Sequence, residues 1–179
     1  MAYGPDSHPQ VVDGFRDGPL RDRLADQAPD LLPKVAQAKG CVVFRGQIGD
    51  PATLDYHRDL IGLLQWLLDQ GAVAILDMTA AEWWSPGAWR SRVFDPAAPM
   101  PHRHVTIHVS PEDGGRLWLH TRGLLKYGRP DISIRNVPEA WHDRAAAIVN
   151  RFIEFQALGG IVPEGRRVRQ VGCGGAGRA

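Results

Sequence analysis

The stretch Pro101–Arg135 reads PHRHVTIHVSPEDGGRLWLHTRGLLKYGRPDISIR, and the fold that the sequence predicts is built around it. Polar and apolar side chains alternate along its first part, with polar residues at His102, His104, Thr106 and His108. A two-residue period is typical of a strand with one apolar and one polar face. The pattern therefore predicts a strand whose valines and isoleucines point inward and whose histidines face solvent.

The rest of this stretch predicts a hairpin and a third strand. Turn residues at Pro111–Gly115 separate the first strand from a return strand at Arg116–Thr121. A one-turn element at Gly123–Tyr127 follows, and Gly128–Pro130 breaks the chain before a short strand at Asp131–Arg135.

Bulk properties indicate one soluble globular unit. The 179 residues are 44% apolar and 23% charged, and the formal net charge is +1, which argues against a nucleic-acid binder that relies on net charge. Cys41 and Cys173 have no metal-ligand spacing, and Cys41 lies in an apolar run, so a buried thiol is expected. The N-terminus has no apolar signal region, and no apolar stretch is long enough to span a membrane, so we expect a cytoplasmic protein without membrane contact.

The N-terminal third predicts little regular structure before its first strand. Residues 1–18 are rich in Pro, Gly, Asp and His and are interpreted as an irregular arm. Pro19–Ala28 predicts a short helix, and Cys41–Arg45 predicts a central strand because it is apolar and β-branched.

The most regular helix follows. Asp50 and Pro51 supply an N-cap acid and a proline at the first helical position, and Gly71 ends the helix. Its apolar stripe comprises Leu54, Leu60, Ile61, Leu64, Leu67 and Leu68. Ala72–Asp77 then predicts a second buried strand.

Shorter elements are predicted between this strand and the hairpin. Thr79 and Glu82 have the spacing of a capping box, which predicts a helix over Ala80–Trp84. Ser85 and Pro86 predict a further helical turn reaching Val93, and the prolines of Phe94–Pro101 predict a loop.

A second long helix is predicted from Pro138 to Gly159–Gly160. Its apolar positions at helical spacing are Trp141, Ala145, Ile148, Val149, Phe152 and Phe155. The element order predicts an α+β fold with a single mixed, mainly antiparallel sheet and two long helices packed on one face. The predicted division is an N-terminal arm with a short helix (1–39), one α+β domain (40–162) and a Gly/Arg-rich tail (163–179).

Four short segments together resemble a family of bacterial domains of unknown function, the DUF4261-like group. They are Gly71–Ile75, Ser85–Trp89, His120–Leu124 and Gly128–Ile132, and the resemblance extends over about residues 40–160. Arg129 stands where the family tends to have an apolar residue. The resemblance agrees with an α+β domain and implies no activity, cofactor or site.

The histidines suggest a metal site. Two imidazoles two residues apart on a strand can present two ligands to one ion, and a third from the paired strand could complete the set. His102, His104 and His120 are therefore candidate zinc ligands, with Asp131 or Glu82 as the base of a hydrolase. The alternative is that these imidazoles are half-exposed residues on a solvated sheet face, with no cofactor.

Asp77 ends a predicted strand, Glu82 follows it five residues later, and Asp131 begins a further strand. Carboxylates at strand ends often build active sites. Local chemistry accounts for the first two equally well. Asp77 would cap the turn after its strand, and Glu82 would complete the capping box with Thr79.

Three of the six tryptophans, Trp83, Trp84 and Trp89, lie within seven residues of one another. We expect at least one to be in the core and at least one to be partly exposed, forming a cap on the sheet. Because binding hot spots favour Trp, Tyr and Arg, this cap and the neighbouring His120, Thr121 and Arg122 are the candidate binding residues.

These patterns favour a non-catalytic domain that binds a protein partner or a second copy of itself, through the tryptophan cap and the polar sheet face. The alternative from another class is the metal-dependent hydrolase. A third hypothesis is a weak, salt-sensitive nucleic-acid contact by Arg166, Arg167 and Arg169 in the tail.

Overall fold

The computed structural model describes residues 1–47, 49, 53–95 and 99–165. In these ranges the chain forms helices and three small antiparallel sheets, which confirms the α+β class. The predicted single mixed sheet is wrong. Among the described residues every strand pairing is antiparallel, and the segments after Gly40 and Gly71 belong to different sheets.

Within the described ranges the strands are β1 (Ala2–Tyr3), β2 (Cys41–Val42), β3 (Ile75–Asp77), β4 (Glu82–Trp84), β5 (Thr106–Glu112), β6 (Arg116–Arg122) and β7 (Ser133–Pro138). The α-helices are α1 (Pro9–Arg16), α2 (Pro19–Gln27), α3 (Leu32–Ala36), α4 (Asp55–Asp69), α5 (Pro86–Ala88) and α6 (His142–Ala157). Single 3-10 turns lie at Pro29–Leu31, Pro101–His104, Leu124–Tyr127 and Glu139–Trp141, and a π-helical turn at Trp89–Val93.

The N-terminal segment is more regular than its composition predicts. The prediction of an irregular arm is wrong, since α1 forms directly after His8 with Pro9 at its first position, where a proline needs no N–H donor. The helix predicted over Pro19–Ala28 is confirmed as α2. These helices and α3 enclose a small core of Leu24, Leu31, Val35 and Trp83.

Strand β2 is shorter than predicted and is not central. Among the described residues it pairs with β1 and with no other strand, in the register Tyr3 with Cys41, and Cys41 is partly exposed. Burial nevertheless raises the pKa of the Cys41 thiol.

The helix predicted over Ala80–Trp84 is wrong, because the chain forms a hairpin there. Asp77 Oδ1 accepts hydrogen bonds from the backbone N–H groups of Thr79 and Ala80, which turns the chain back on itself. Glu82 therefore pairs with Asp77 across β3 and β4 and completes no capping box. The predicted capping of this turn by Asp77 is confirmed.

The first strand of the central stretch begins later than predicted. Pro101–His104 is a 3-10 turn, and the strand runs from Thr106 to Glu112. His104 and Val105 are both buried, so the alternation of inward and outward side chains does not reach back to His102. The hairpin of β5 and β6 is confirmed, with His108 opposite His120.

Strand β7 contains a β-bulge that the sequence did not predict. Leu117 pairs with Val137 and Leu119 with Ile134, so β7 has one extra residue, and Asn136 takes up a φ of +58°. The bulge lets Ile134 and Val137, three residues apart, both pack on the core side. The strand predicted at Asp131–Arg135 therefore lies further along, at Ser133–Pro138.

The two long helices do not share one face of a sheet. Helix α6 buries Ala145, Val149 and Ile153 against the three-stranded sheet. Helix α4 packs instead on β3 and the π-helical turn, through Ile61 and Leu68. Gly71 ends α4 as predicted, at a φ of +98°, whereas the predicted start at Asp50–Pro51 lies outside the described residues.

Helix α6 buries part of the predicted apolar stripe: Ala145 and Val149 are buried as predicted, together with Ile153 and Ala157. Trp141, Ile148 and Phe155 are exposed, because they lie outside the face of the helix that contacts the sheet. Among the described residues, no helix has both the length and the apolar character required to cross a membrane.

Candidate functional site

The three-stranded sheet has one face on the core and one face that carries the polar side chains. Ile107, Leu119 and Val137 belong to the core face, next to α6. Side chains at alternate positions project the other way. This outer face comprises Thr106, His108, Ser110, Glu112, Arg116, Trp118, His120, Arg122, Ser133 and Arg135.

A row of stacked rings crosses the outer face. The ring of His120 stacks on the indole of Trp118, with 4.2 Å between centroids, and on the ring of His108, with 5.2 Å between centroids. The guanidinium carbon of Arg135 lies 4.2 Å from the Trp118 ring centroid on this row. Stacking and cation–π contacts of this kind stabilise the observed arrangement of the four side chains.

Hydrogen bonds hold the row in position. Trp118 Nε1 donates to Ser133 Oγ at 2.9 Å, which ties β6 to β7 through side chains. Arg135 Nη1 donates to Glu112 Oε1 at 2.8 Å, and the other carboxylate oxygen of Glu112 accepts from the backbone N–H of Asn136. Glu112 thus holds Arg135 above the indole of Trp118 and also stabilises the bulge at Asn136.

One end of the row is positively charged. Within the described residues Arg122 forms no ion pair and no side-chain hydrogen bond, and its side chain is exposed. The pKa of His108 is lowered, first by burial and then by the neighbouring His120, Arg122 and Arg23 of α2. Glu82 of β4 approaches this end, with its Oε2 3.4 Å from Thr106 Oγ1. Partial burial raises the pKa of the Glu82 carboxyl.

The tryptophan cap is largely internal. Trp83 is 7% exposed and Trp89 is 3% exposed, and Trp84 is partly buried against the core of α4, which confirms the expectation of core and partly exposed members. Trp83 Nε1 donates to the carbonyl of Leu20, so this indole fixes the β3–β4 hairpin to α2. The buried indoles Trp83 and Trp89 pin the cap in place and leave little of their own surface for a partner.

Of the remaining predicted binding residues, His120 and Arg122 lie on the outer face and Thr121 does not. Thr121 is 3% exposed. Its hydroxyl donates to Asp131 Oδ1 at 3.0 Å and accepts from the backbone N–H of Ile132 at 2.8 Å. Asp131 also accepts from the backbone N–H of Leu124, so it closes the turn after β6.

A second group of polar side chains lies beneath this turn, in the protein interior. Lys126 forms an ion pair with Asp77 and donates a further hydrogen bond to the backbone carbonyl of His104. Burial lowers the pKa of the Lys126 ammonium. Burial by itself raises the pKa of the Asp77 carboxyl, but Lys126 and the hydrogen bonds from Thr79 and Ala80 outweigh it and lower the pKa. The pair joins β3 to the 3-10 turn Leu124–Tyr127.

Two imidazoles complete this lysine cluster of Lys126, Asp77, His104, His57 and Tyr127. The rings of His57 and His104 meet edge to face with 4.6 Å between centroids. His57 Nε2 is 3.0 Å from the Tyr127 hydroxyl. Burial and the Lys126 charge lower the pKa of His57 to about 4, and burial together with His57 and Lys126 lowers the pKa of His104 to about 3. Both rings are therefore neutral at physiological pH.

The three histidines proposed as zinc ligands lie in different surroundings. His102 Nδ1 is 2.5 Å from Glu154 Oε1 of α6, and His104 is packed in the lysine cluster, with Trp89 also beside its ring. His120 stacks in the row on the outer face. Within the part of the chain that the structure describes, no group of three or more His, Cys, Asp or Glu is arranged to hold a metal ion.

Sequence reasoning missed His57, Lys126 and Tyr127. His57 is spaced four residues from Ile61 and eight from Gln65, all on the buried side of α4, but the leucines beside them carried a stronger apolar signal. Lys126 and Tyr127 lie in a single 3-10 turn, too short for a periodic pattern. Trp118 and Arg135 were visible as alternate residues on strands, but their contact depends on the pairing of β6 with β7.

Comparison with known proteins gives no match: no family model fits the chain, and no curated protein or solved structure is similar to it. The resemblance to the DUF4261-like group accordingly stays a prediction.

Proposed function

We propose that the protein is a non-catalytic binding domain and that the outer face of the three-stranded sheet is its contact surface for a protein partner. The observation that carries the proposal is the row Arg135–Trp118–His120–His108, which stands on the side of the sheet away from α6. Tryptophan and arginine are enriched among the residues that dominate binding energy.

Pre-organisation supports this proposal. A side chain that is already fixed loses little conformational entropy when a partner binds, which leaves more of the contact energy as affinity. Trp118 is fixed on three sides by His120, Arg135 and Ser133. The sheet carries these residues on paired strands and not on loops, so their spacing is set by backbone hydrogen bonds.

Site-specific photo-cross-linking tests the contact surface. A photoreactive amino acid replaces Arg116, which is exposed at the edge of the outer face, or Gln37, which is exposed at the end of α3. We expect a discrete adduct from position 116 in cells and none from position 37. The adduct should disappear when Trp118→Ala is added to the Arg116 variant. An adduct that survives Trp118→Ala, or one that forms equally from both positions, contradicts the proposal.

A metal-dependent hydrolase is the rival proposal, with His102, His104 and His120 as zinc ligands and Asp131 or Glu82 as base. Its support is weaker because His104 contacts His57 and Trp89 whereas His120 contacts Trp118. Asp131 is engaged in closing the turn after β6. Elemental analysis of protein purified without a nickel column tests it: a stoichiometric metal that is lost in His104→Ala would favour the hydrolase over the binding domain.

The predicted homodimer and the cytoplasmic location stay predictions. Arg166, Arg167 and Arg169, on which the nucleic-acid hypothesis depends, lie outside the described residues, as does Cys173.

A further inference from the structure

We infer that the occupant of the outer face is an acidic segment of a partner protein, whose carboxylates lie against Arg122 and the His108–His120 pair, and that this binding takes up a proton. The inference rests on the proposed binding function and adds the chemistry of the partner and its dependence on pH. It is carried by Arg122, which has no ion-pair partner among the described residues, and by the stacked imidazoles of His108 and His120.

The charge balance of the outer face favours an acidic partner. The face carries three arginines, Arg116, Arg122 and Arg135, and the carboxylate of Glu112 is already paired with Arg135. Arg122 forms no ion pair with any described residue and is exposed. A carboxylate from outside can form a charge-assisted, bidentate pair with such a guanidinium, whereas a basic segment would be repelled.

The histidine pair provides the link to protons. The two rings are stacked with 24° between their planes, and one nitrogen of each, His108 Nε2 and His120 Nδ1, is enclosed without a hydrogen-bond partner. The surrounding charges are Arg122 on β6, Arg23 on α2 and, at the end of the row, Glu82 on β4. A proton on His108 therefore meets two arginines and a second imidazole, and no carboxylate of the described residues forms an ion pair with its ring.

A bound carboxylate supplies the missing negative charge. It stabilises the imidazolium form, so binding and protonation favour each other. Affinity for an acidic segment should consequently increase as the pH falls through the range in which histidine titrates. At higher pH the stacked imidazoles are neutral, so the attraction for the acidic segment comes mainly from the charge of Arg122.

A labelled oligoglutamate peptide is a direct probe, since its carboxylates stay largely ionised above about pH 5.5. Fluorescence anisotropy at constant ionic strength should show roughly tenfold tighter binding at about pH 5.5 than at about pH 7.5, the change that corresponds to one unit of pKa shift. The double variant His108→Gln/His120→Gln should bind as the wild type does at the higher pH and lose the increase at the lower pH. Arg122→Gln should weaken peptide binding at both pH values. The matched variant Arg151→Gln on α6 should leave peptide binding unchanged at both pH values.

Three results would overturn the inference. The first is that the affinity for oligoglutamate still increases at low pH in the double histidine variant. The second is that Arg122→Gln and Arg151→Gln weaken peptide binding equally. The third is that a single-stranded oligothymidylate binds more tightly than the peptide. The cross-linking experiment separates this failure from failure of the proposed function. If the adduct at position 116 forms and depends on Trp118 but oligoglutamate does not compete with it, the binding surface stands and the acidic occupant is wrong.

Discussion

The imidazole of His120 lies against the indole of Trp118, with 27° between the two ring planes. Because Leu119 between them points the opposite way and is fully buried, the same short segment of β6 serves the outer face and the core. Substitutions at the adjacent positions 118 and 119 should therefore affect partner binding and the free energy of unfolding separately.

Trp118→Ala should reduce the free energy of unfolding by only about 1 kcal/mol, the typical contribution of a stacked aromatic pair. Leu119→Ala should cost about 2–5 kcal/mol, because it leaves a cavity in a closely packed core. Urea unfolding of the two variants measures both values. Equal losses would mean that the ring row is part of the core and not a surface.

Lys126→Met should lower the free energy of unfolding by about 3–5 kcal/mol, because it leaves the Asp77 carboxylate buried without its cation. Adding Asp77→Asn to this variant should restore part of the loss, since an amide oxygen can still accept the hydrogen bonds from Thr79 and Ala80. A double-mutant cycle by denaturant unfolding gives the coupling energy. If the double variant is no more stable than Lys126→Met, the ion pair is not what holds β3 to the turn after β6.

Acid should destabilise the protein through His57 and His104. Their pKa values in the folded state, about 4 and about 3, lie below that of an unfolded histidine near 6.5, so the unfolded chain binds protons more readily. The stability contributed by each neutral ring is complete above about pH 6.5 and decreases as the pH falls towards the folded pKa, by about 3 kcal/mol for His57 on reaching pH 4. His57→Gln should flatten this part of the profile of unfolding free energy against pH. A flat wild-type profile of unfolding free energy against pH would contradict the burial of the two rings.

Gly123→Ala should lower the free energy of unfolding by roughly 2–3 kcal/mol. The residue has a φ of +122°, and an added Cβ would lie 2.9 Å from the His104 carbonyl oxygen, which also accepts the hydrogen bond from Lys126. Gly62→Ala is the matched control. Gly62 lies in α4 with no atom near an added Cβ, so this change should raise stability by about 0.5–1 kcal/mol. Thermal unfolding of both variants checks the contrast in sign.

The sequence predicts those elements whose signal is local. The hairpin of β5 and β6, the helix ending at Gly71 and the capping of the turn by Asp77 each depend on residues a few positions apart, and all three are present. The histidine alternation failed at His104 because a nonlocal partner, His57 of α4, draws that ring into the core.

The candidate site was only half predictable for the same reason. His120 and Arg122 follow from strand alternation within β6. Their neighbours Trp118 and Arg135 were not singled out, because their contact joins β6 to β7, and the sequence alone does not specify the register in which those two strands pair. The cluster of tryptophans was conspicuous in sequence and internal in the fold, since three large rings in a short segment are also what a buried hairpin needs for packing.

The most direct test of the outer face as the contact surface compares two indole resonances. In a ¹H–¹⁵N NMR titration with oligoglutamate at about pH 5.5, the Nε1–H signal of Trp118 should shift, together with the backbone amides of His108, His120 and Arg122. The indole of Trp141, exposed on the opposite side of the sheet at α6, should not move. Movement of Trp141 with Trp118 unchanged would contradict the account.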